Sequence, residues 1–261
     1  MDQKIQKIKC FILDMDGTIY LGNELFDFTK EFLKKVEDTG REYYFFTNNS
    51  SKSQQAYIDK LRKMGISIES KQMMISSHVM IEYLKKYHAG KSIYVVGTPS
   101  LIHEFEAFDM PLTEEEPDIV ILGFDTTLTY EKISKACHYI RNGCIYYGIN
   151  PDWNCPMEGG TFIPDCGSMA KLVEASTGKF PEFFGKPSKH TLDYIIEKTG
   201  YQPREIAIVG DRLYTDIAVA DGSPVTSILV LSGESTIEDV GHSTIKPDII
   251  LESLKELSNV L

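Results

Sequence analysis

Apolar and polar positions alternate between two periods along this chain. Short apolar runs such as Cys10-Phe11-Ile12-Leu13 and Tyr43-Tyr44-Phe45-Phe46 are too brief for helices and read as buried strands. Between them, residues 27–39 and 52–64 carry the i, i+3, i+4 spacing of amphipathic helices, each stopped by a glycine, Gly40 and Gly65. The rhythm continues downstream. Residues 92–96, 118–122, 144–148, 206–209, 226–231 and 248–250 read as strands. Residues 130–141, 167–176 and about 252 to the end read as helices. Strands alternating with helices predict an α/β fold, a parallel sheet with helices on both faces. Residues 150–164 break the rhythm, being rich in Pro, Gly, Asp and Asn, and read as a turn-containing excursion.

In a sheet of this kind, ligands bind at the carboxyl ends of the strands. The polar residues just past those ends therefore become the candidate chemistry. Asp14-Met15-Asp16-Gly17-Thr18 follows the first strand, and Thr47 follows the second. Lys186 stands between Gly185 and Pro187 before a helix near Ser188, and Asp211 and Asp216 follow the 206–209 strand. Taken singly, each has a plain structural reading: Thr47 as a helix start, Lys186 as a turn lysine, Asp211 and Asp216 as capping and first-turn residues. Taken together they offer one sheet edge several carboxylates, a hydroxyl and a lysine.

Composition narrows the partners. The 261 residues are 42% hydrophobic, enough for one large domain or two modest ones. A net charge of −11 argues against nucleic acid or an anionic membrane as partner, and means that a phosphorylated ligand needs local positive charge. The five cysteines include no CxxC pair, which points away from structural zinc and from a disulfide framework and fits a reducing cytoplasm. No segment has the length and apolarity of a signal peptide's core or of a membrane span.

This inventory suits phosphoryl transfer. Clustered carboxylates repel a phosphoryl group unless a hard divalent cation such as Mg2+ lies among them. One Asp can then attack phosphorus, a second can carry the proton, and Lys can offset charge on the phosphoryl oxygens.

The motifs resemble those of the haloacid-dehalogenase-like (HAD) phosphatases. Asp14-Met15-Asp16-Gly17-Thr18 is similar to the first motif, Thr47-Asn48-Asn49-Ser50 to the second, Lys186 to the third, and Asp211 with Asp216 to the fourth. Phe124-Asp125-Thr126-Thr127-Leu128-Thr129-Tyr130, Asn150-Pro151-Asp152, Gly185-Lys186-Pro187-Ser188 and Gly210-Asp211-Arg212-Leu213-Tyr214-Thr215-Asp216-Ile217 extend the resemblance to the NagD-like branch, which includes p-nitrophenyl phosphatases. The resemblance implies a Rossmann-like core (residues 1–77 and 181–261) with an inserted α/β cap (78–180). It implies Asp14 as nucleophile and metal ligand, and Asp16 as general acid/base with its backbone carbonyl on the metal. Thr47, Asn48 and Lys186 would hold the phosphoryl group, Asp211 would bind Mg2+ and Asp216 would support the site. The expected activity is Mg2+-dependent hydrolysis of a small phosphorylated metabolite in the cytoplasm. Homodimerisation through the cap is a form that relatives often take. A phosphotransferase or mutase on the same fold, and a non-catalytic binding protein, are the alternatives.

The four motifs recognise only what all phosphate monoesters share, so substrate choice is expected from the insert. Asp152, Trp153 and Met157 in its 150–166 loop are the candidate specificity residues. Two departures from the family pattern stand out: Asp165-Cys166, where small residues are usual, and Ala220 and Pro224, where glycines are common. The histidines, including His78, His88 and His138, show no ligand spacing and read as structural or surface residues.

Overall fold

The computed structural model describes residues 2–157 and 160–261. It divides into two compact units. One comprises the chain up to Thr47, Ile58–Met74 and Thr191–Leu261; the other comprises Asn48–Tyr57 and Ile75–His190. The second unit contains the expected 78–180 insert, and also takes in residues 48–57, 75–77 and 181–190.

The first unit is built on a six-stranded sheet in the order Ile249–Leu251, Thr226–Val230, Ile206–Gly210, Cys10–Leu13, Glu42–Thr47, Met73–Ile75. The first five of these run parallel. Cys10–Leu13 pairs on both sides, Cys10 facing Ile206 in one neighbour and Glu42 in the other. Strands covered on both faces must be apolar throughout, which is why all four residues from Cys10 to Leu13 are buried. The helix Thr29–Asp38 buries Phe32, Leu33 and Val36, and Phe32 meets Phe11 edge-on with ring centroids 6.0 Å apart.

The second unit holds a four-stranded parallel sheet in the order Glu182–Phe183, Ile145–Gly148, Ile119–Leu122, Ile93–Val96. Helices Tyr130–Arg141 and Cys166–Thr177 pack on it through Ile133, Ala136, Ile140, Met169, Ala170 and Val173. Thr129 and Asp165 cap their N-termini by accepting backbone N–H bonds.

Three features escaped the hydrophobic pattern. The 150–164 excursion contains an antiparallel hairpin, Asn154–Met157 against Thr161–Pro164, with Glu158 and Gly159 outside the described residues. Its strands are largely exposed and carry Pro156 and Pro164, so neither alternation nor an apolar run marks them. Helix Ser76–Tyr87 buries an unbroken stretch from Ser76 to Ile81, so it shows no clean stripe. The strand Met73–Ile75, at three residues, is below the length at which a pattern can be read. Among the described residues no helix is long and apolar enough to cross a membrane.

Candidate active site

The adjacency of Cys10–Leu13 and Ile206–Gly210 brings the residues after both strands together. Asp14 continues the pairing, its N–H donating to the Val209 carbonyl at 2.8 Å. Asp211 follows the neighbouring strand, and Asp216 lies in the π-helical turn Leu213–Ile217 just beyond it. One carboxylate oxygen from each of Asp14, Asp211 and Asp216 lies within 4.8 Å of the others. Asp16 is outside this trio; its Oδ1 sits 3.5 Å from the Gly22 N–H, in the turn between the short antiparallel strands Tyr20–Leu21 and Glu24–Leu25. Gly17 has a φ of +88°, and a Cβ there would fall 2.3 Å from Asp211 Oδ2. Only glycine allows both that turn and that approach.

Asp211 is the most constrained member. It is 2% exposed, its Oδ2 accepts the Glu234 N–H at 2.7 Å, and its Oδ1 has no hydrogen-bond partner among the described residues. Burial, then the charges of Asp14 and Asp216, push its carboxyl well above the ordinary range. Arg212 and the Glu234 N–H pull the other way without prevailing. Residues 232–235 form a collar that sequence reading did not single out. Ser232 Oγ donates to the Gly17 carbonyl at 2.7 Å, and the Ser235 N–H donates to the Asp211 carbonyl at 3.1 Å. Glu234 also pairs with Arg212 at 2.9 Å and accepts from the Tyr214 hydroxyl at 2.7 Å. The only mark of this collar in the sequence is a run of small and polar residues, Ser232-Gly233-Glu234-Ser235.

Three carboxylates offering one oxygen each within 4.8 Å of one another, one of them buried with an oxygen that has no hydrogen bond among the described residues, fit a hard divalent cation. Without one, like charges at this spacing force a proton onto the group. A cation reverses that logic.

In the second unit, Asn48 directly follows Thr47 in the chain and is buried, as is Lys186. The Asn48 amide grips the Lys186 backbone with two bonds: Oδ1 accepts from the Lys186 N–H at 2.8 Å, and Nδ2 donates to its carbonyl at 2.9 Å. Nδ2 also donates to Asp152 Oδ2 at 2.9 Å. The Asn48 side chain is thus committed to protein partners. Asp152 differs sharply from the other two specificity candidates. It is 5% exposed, whereas Trp153 and Met157 are 50% and 47% exposed. The departure Asp165 is buried too, accepting from Asn150 Nδ2 and from the Cys166 N–H at the head of its helix. Burial pushes the Cys166 thiol up, so it packs as an inert thiol.

Known proteins resemble this chain over nearly its whole length. A haloacid dehalogenase-like hydrolase family model matches residues 11–111, and a HAD-hydrolase-like model matches residues 183–257. An acid sugar phosphatase of Staphylococcus aureus is 32% identical over 253 residues, covering 97% of each chain. The chain belongs to the haloacid dehalogenase-like hydrolases. Within the HAD family it falls in the NagD-like branch. The structure of a 4-nitrophenylphosphatase from Thermotoga maritima superposes with a TM-score of 0.94 at 43% identity, covering 98% of both chains. That of NagD from E. coli K-12 gives 0.88 at 30% identity, covering 95% of this chain and 98% of that one.

Proposed function

We propose that this HAD hydrolase is a Mg2+-dependent phosphatase of small phosphate monoesters that works through an aspartyl-phosphate on Asp14. The observation that carries the reading is the trio Asp14, Asp211 and Asp216, just beyond the carboxyl ends of adjacent strands, with an Asp211 oxygen that has no hydrogen bond among the described residues. Asp14, Asp211 and the backbone carbonyl of Asp16 would hold the cation, with Asp216 in support. When bound, Mg2+ supplies the positive charge that offsets these carboxylates and the phosphoryl oxygens.

Asp14 attacks phosphorus, and the bond from phosphorus to the leaving oxygen breaks with its electron pair on that oxygen. Asp16 protonates it. Asp16 then takes a proton from water, whose oxygen attacks the phosphorus of the aspartyl-phosphate. The bond to Asp14 breaks, freeing its carboxylate and inorganic phosphate. Thr47 and Lys186 hold the phosphoryl group, and Asn48 reaches it through its backbone N–H, since its side chain is engaged with Lys186 and Asp152.

The insert at 78–180 serves as the cap that selects the substrate, with Trp153 and Met157 as its exposed contacts. The protein works in the cytoplasm, a reading supported by its free cysteines. The relatives' names make sugar phosphates and p-nitrophenyl phosphate the first substrates to assay. The test is a panel of phosphorylated metabolites with Mg2+ and no acceptor alcohol. Release of inorganic phosphate that stops in excess chelator is expected. Turnover unaffected by chelator, or none without an added acceptor, would overturn the reading. Light scattering on the same preparation reads whether two copies pair.

A further inference from the structure

We propose that Asp152 is a positioning residue that acts through Lys186, and not a contact that selects the substrate. The inference rests on the phosphatase reading above for the role of Lys186.

Asn48 and Asn150 spend both hydrogens of their Nδ2 groups within this cluster. Asn48 can grip the Lys186 backbone in only one orientation, oxygen to the N–H and nitrogen to the carbonyl. That grip holds Lys186 in place only if the amide itself is held. Asp152 holds it: its Oδ2 takes the remaining Nδ2 hydrogen of Asn48. An ionised carboxylate only accepts, so it also opposes a flipped amide, which would turn Asn48 Oδ1 toward two acceptors.

Asp152 is anchored in turn. Its Oδ2 also accepts from Asn150 Nδ2 at 2.9 Å, and its carbonyl accepts the Gly167 N–H at 2.8 Å. Asn150 Nδ2 spends its other hydrogen on Asp165, the N-cap of helix Cys166–Thr177. Asn150 Oδ1 accepts from Ser50 Oγ at 2.7 Å, and Ser50 Oγ accepts the Phe124 N–H at 2.9 Å. A continuous chain of hydrogen bonds therefore runs from Lys186 through Asn48, Asp152 and Asn150 to Asp165. Each of these residues is at most 8% exposed. The departure Asp165 thus has a place: it supplies the acceptor and the helix cap that end the chain. Gly185 completes the fit, because a Cβ there would lie 2.7 Å from Asn48 Oδ1. A buried network with every member satisfied specifies one geometry. Asp152 Oδ2 is committed to two amide donors that fix Asn48 and Asn150.

The test is a double-mutant cycle on kcat/KM with Asp152→Ala and Lys186→Ala, run across the phosphate-monoester panel with the Mg2+-induced rise in Tm recorded for each protein. Misplacing a reacting or charge-bearing group by about an ångström costs on the order of 100-fold. Asp152→Ala should therefore lower kcat/KM by ~10- to 100-fold, by the same factor for every substrate, while keeping the Mg2+-induced rise in Tm. In the Lys186→Ala background the same substitution should cost less than about two-fold, because its target is gone. If Asp152→Ala does not fold, Asp152→Asn serves in the same cycle. It keeps an acceptor oxygen but loses the charge, so a several-fold loss is expected, again absent in the Lys186→Ala background. Additive losses, or losses that differ between substrates, would overturn the proposal while leaving the phosphatase reading intact. A wild-type protein that releases no phosphate from any substrate would overturn the reading and this inference together.

Discussion

The two units each gather aspartates, and do opposite things with them. In the first, Asp14, Asp211 and Asp216 crowd together. In the second, Asp152 and Asp165 are as deeply buried, yet each accepts from Asn150 Nδ2. Burying a carboxylate is costly unless it is paired and hydrogen-bonded. The second group meets that requirement from within the chain. In the first, one Asp211 oxygen is left without a hydrogen bond among the described residues, beside two further carboxylates, a deficit with the sign and the oxygen ligands of a divalent cation. Crowded carboxylates thus mark where chemistry is done, and those held apart by amides mark where geometry is held.

The largest effects should come from the crowded group. Asp14→Asn should lower kcat by about four orders of magnitude or more, as loss of a nucleophile does elsewhere, with the far-UV circular dichroism unchanged. Acid-quenched wild-type enzyme should carry phosphate on the Asp14 peptide by mass spectrometry. Phosphate on a serine or histidine peptide would break the comparison at its centre.

Asp16 lies outside the trio, which fits a proton carrier better than a cation ligand through its side chain. Asp16→Asn should cost on the order of 100- to 10,000-fold with alkyl phosphates. Single-turnover phosphorylation by p-nitrophenyl phosphate should slow far less, because its leaving group needs no proton. Equal slowing with both substrates would remove Asp16 from the acid's role.

Asp211 separates the two groups by sign. Asp211→Asn should cut Mg2+ affinity by more than the ~10- to 100-fold typical of residues that merely orient a ligand. Without metal, and at a pH above the raised folded value, the same substitution should raise Tm, since it removes a carboxylate that burial and its neighbours disfavour. Asp165→Ala, which strands Asn150 and uncaps a helix, should lower Tm. The pH dependence follows. The Asp211 carboxyl titrates higher folded than unfolded, so the native state holds the extra proton. The contribution of Asp211 to metal-free stability is therefore fully present at or below the unfolded carboxylate pKa of ~4, and is lost as pH rises through the folded value. Asp211→Asn should flatten that fall, and the stabilisation by Mg2+ should grow across the same window. A metal-free stability that rises over that window would show that the trio is satisfied without a cation.

Much of this contrast was legible in the sequence, and unevenly so. Asp14 and Asp211 could be found because each follows a short, wholly apolar strand, and in a parallel sheet those strand ends converge. The helix of residues 130–141 could be found because its apolar stripe lies on a single covered face. The Asn48–Lys186 clamp could not. Its partners are 138 residues apart, and an asparagine after a strand looks the same whether it grips a backbone or a ligand. Asp152 looked like a loop residue because Pro151 and Trp153 flank it. Its burial comes from Asn150 and from Gly167 at a helix start, neither of which leaves a periodic mark. The collar at 232–235 reaches Asp211 through backbone N–H groups, which every sequence possesses.

The smallest effects should come from the exposed neighbours of Asp152, and they sharpen the comparison at its other end. Trp153 and Met157 are about half exposed on the excursion, so removing them empties no core and strands no polar atom. Trp153→Ala and Met157→Ala should leave Tm and Mg2+ affinity nearly unchanged. Each should instead shift kcat/KM for one phosphate monoester relative to another by a few-fold to about ten-fold, the range that one or two lost apolar contacts supply. The contrast with Asp152 is one of pattern. A buried positioning residue lowers every substrate by the same factor, whereas an exposed contact reorders the panel. Uniform losses for Trp153→Ala and Met157→Ala would mean that the loop only packs, and substrate choice would then have to be sought elsewhere in the insert.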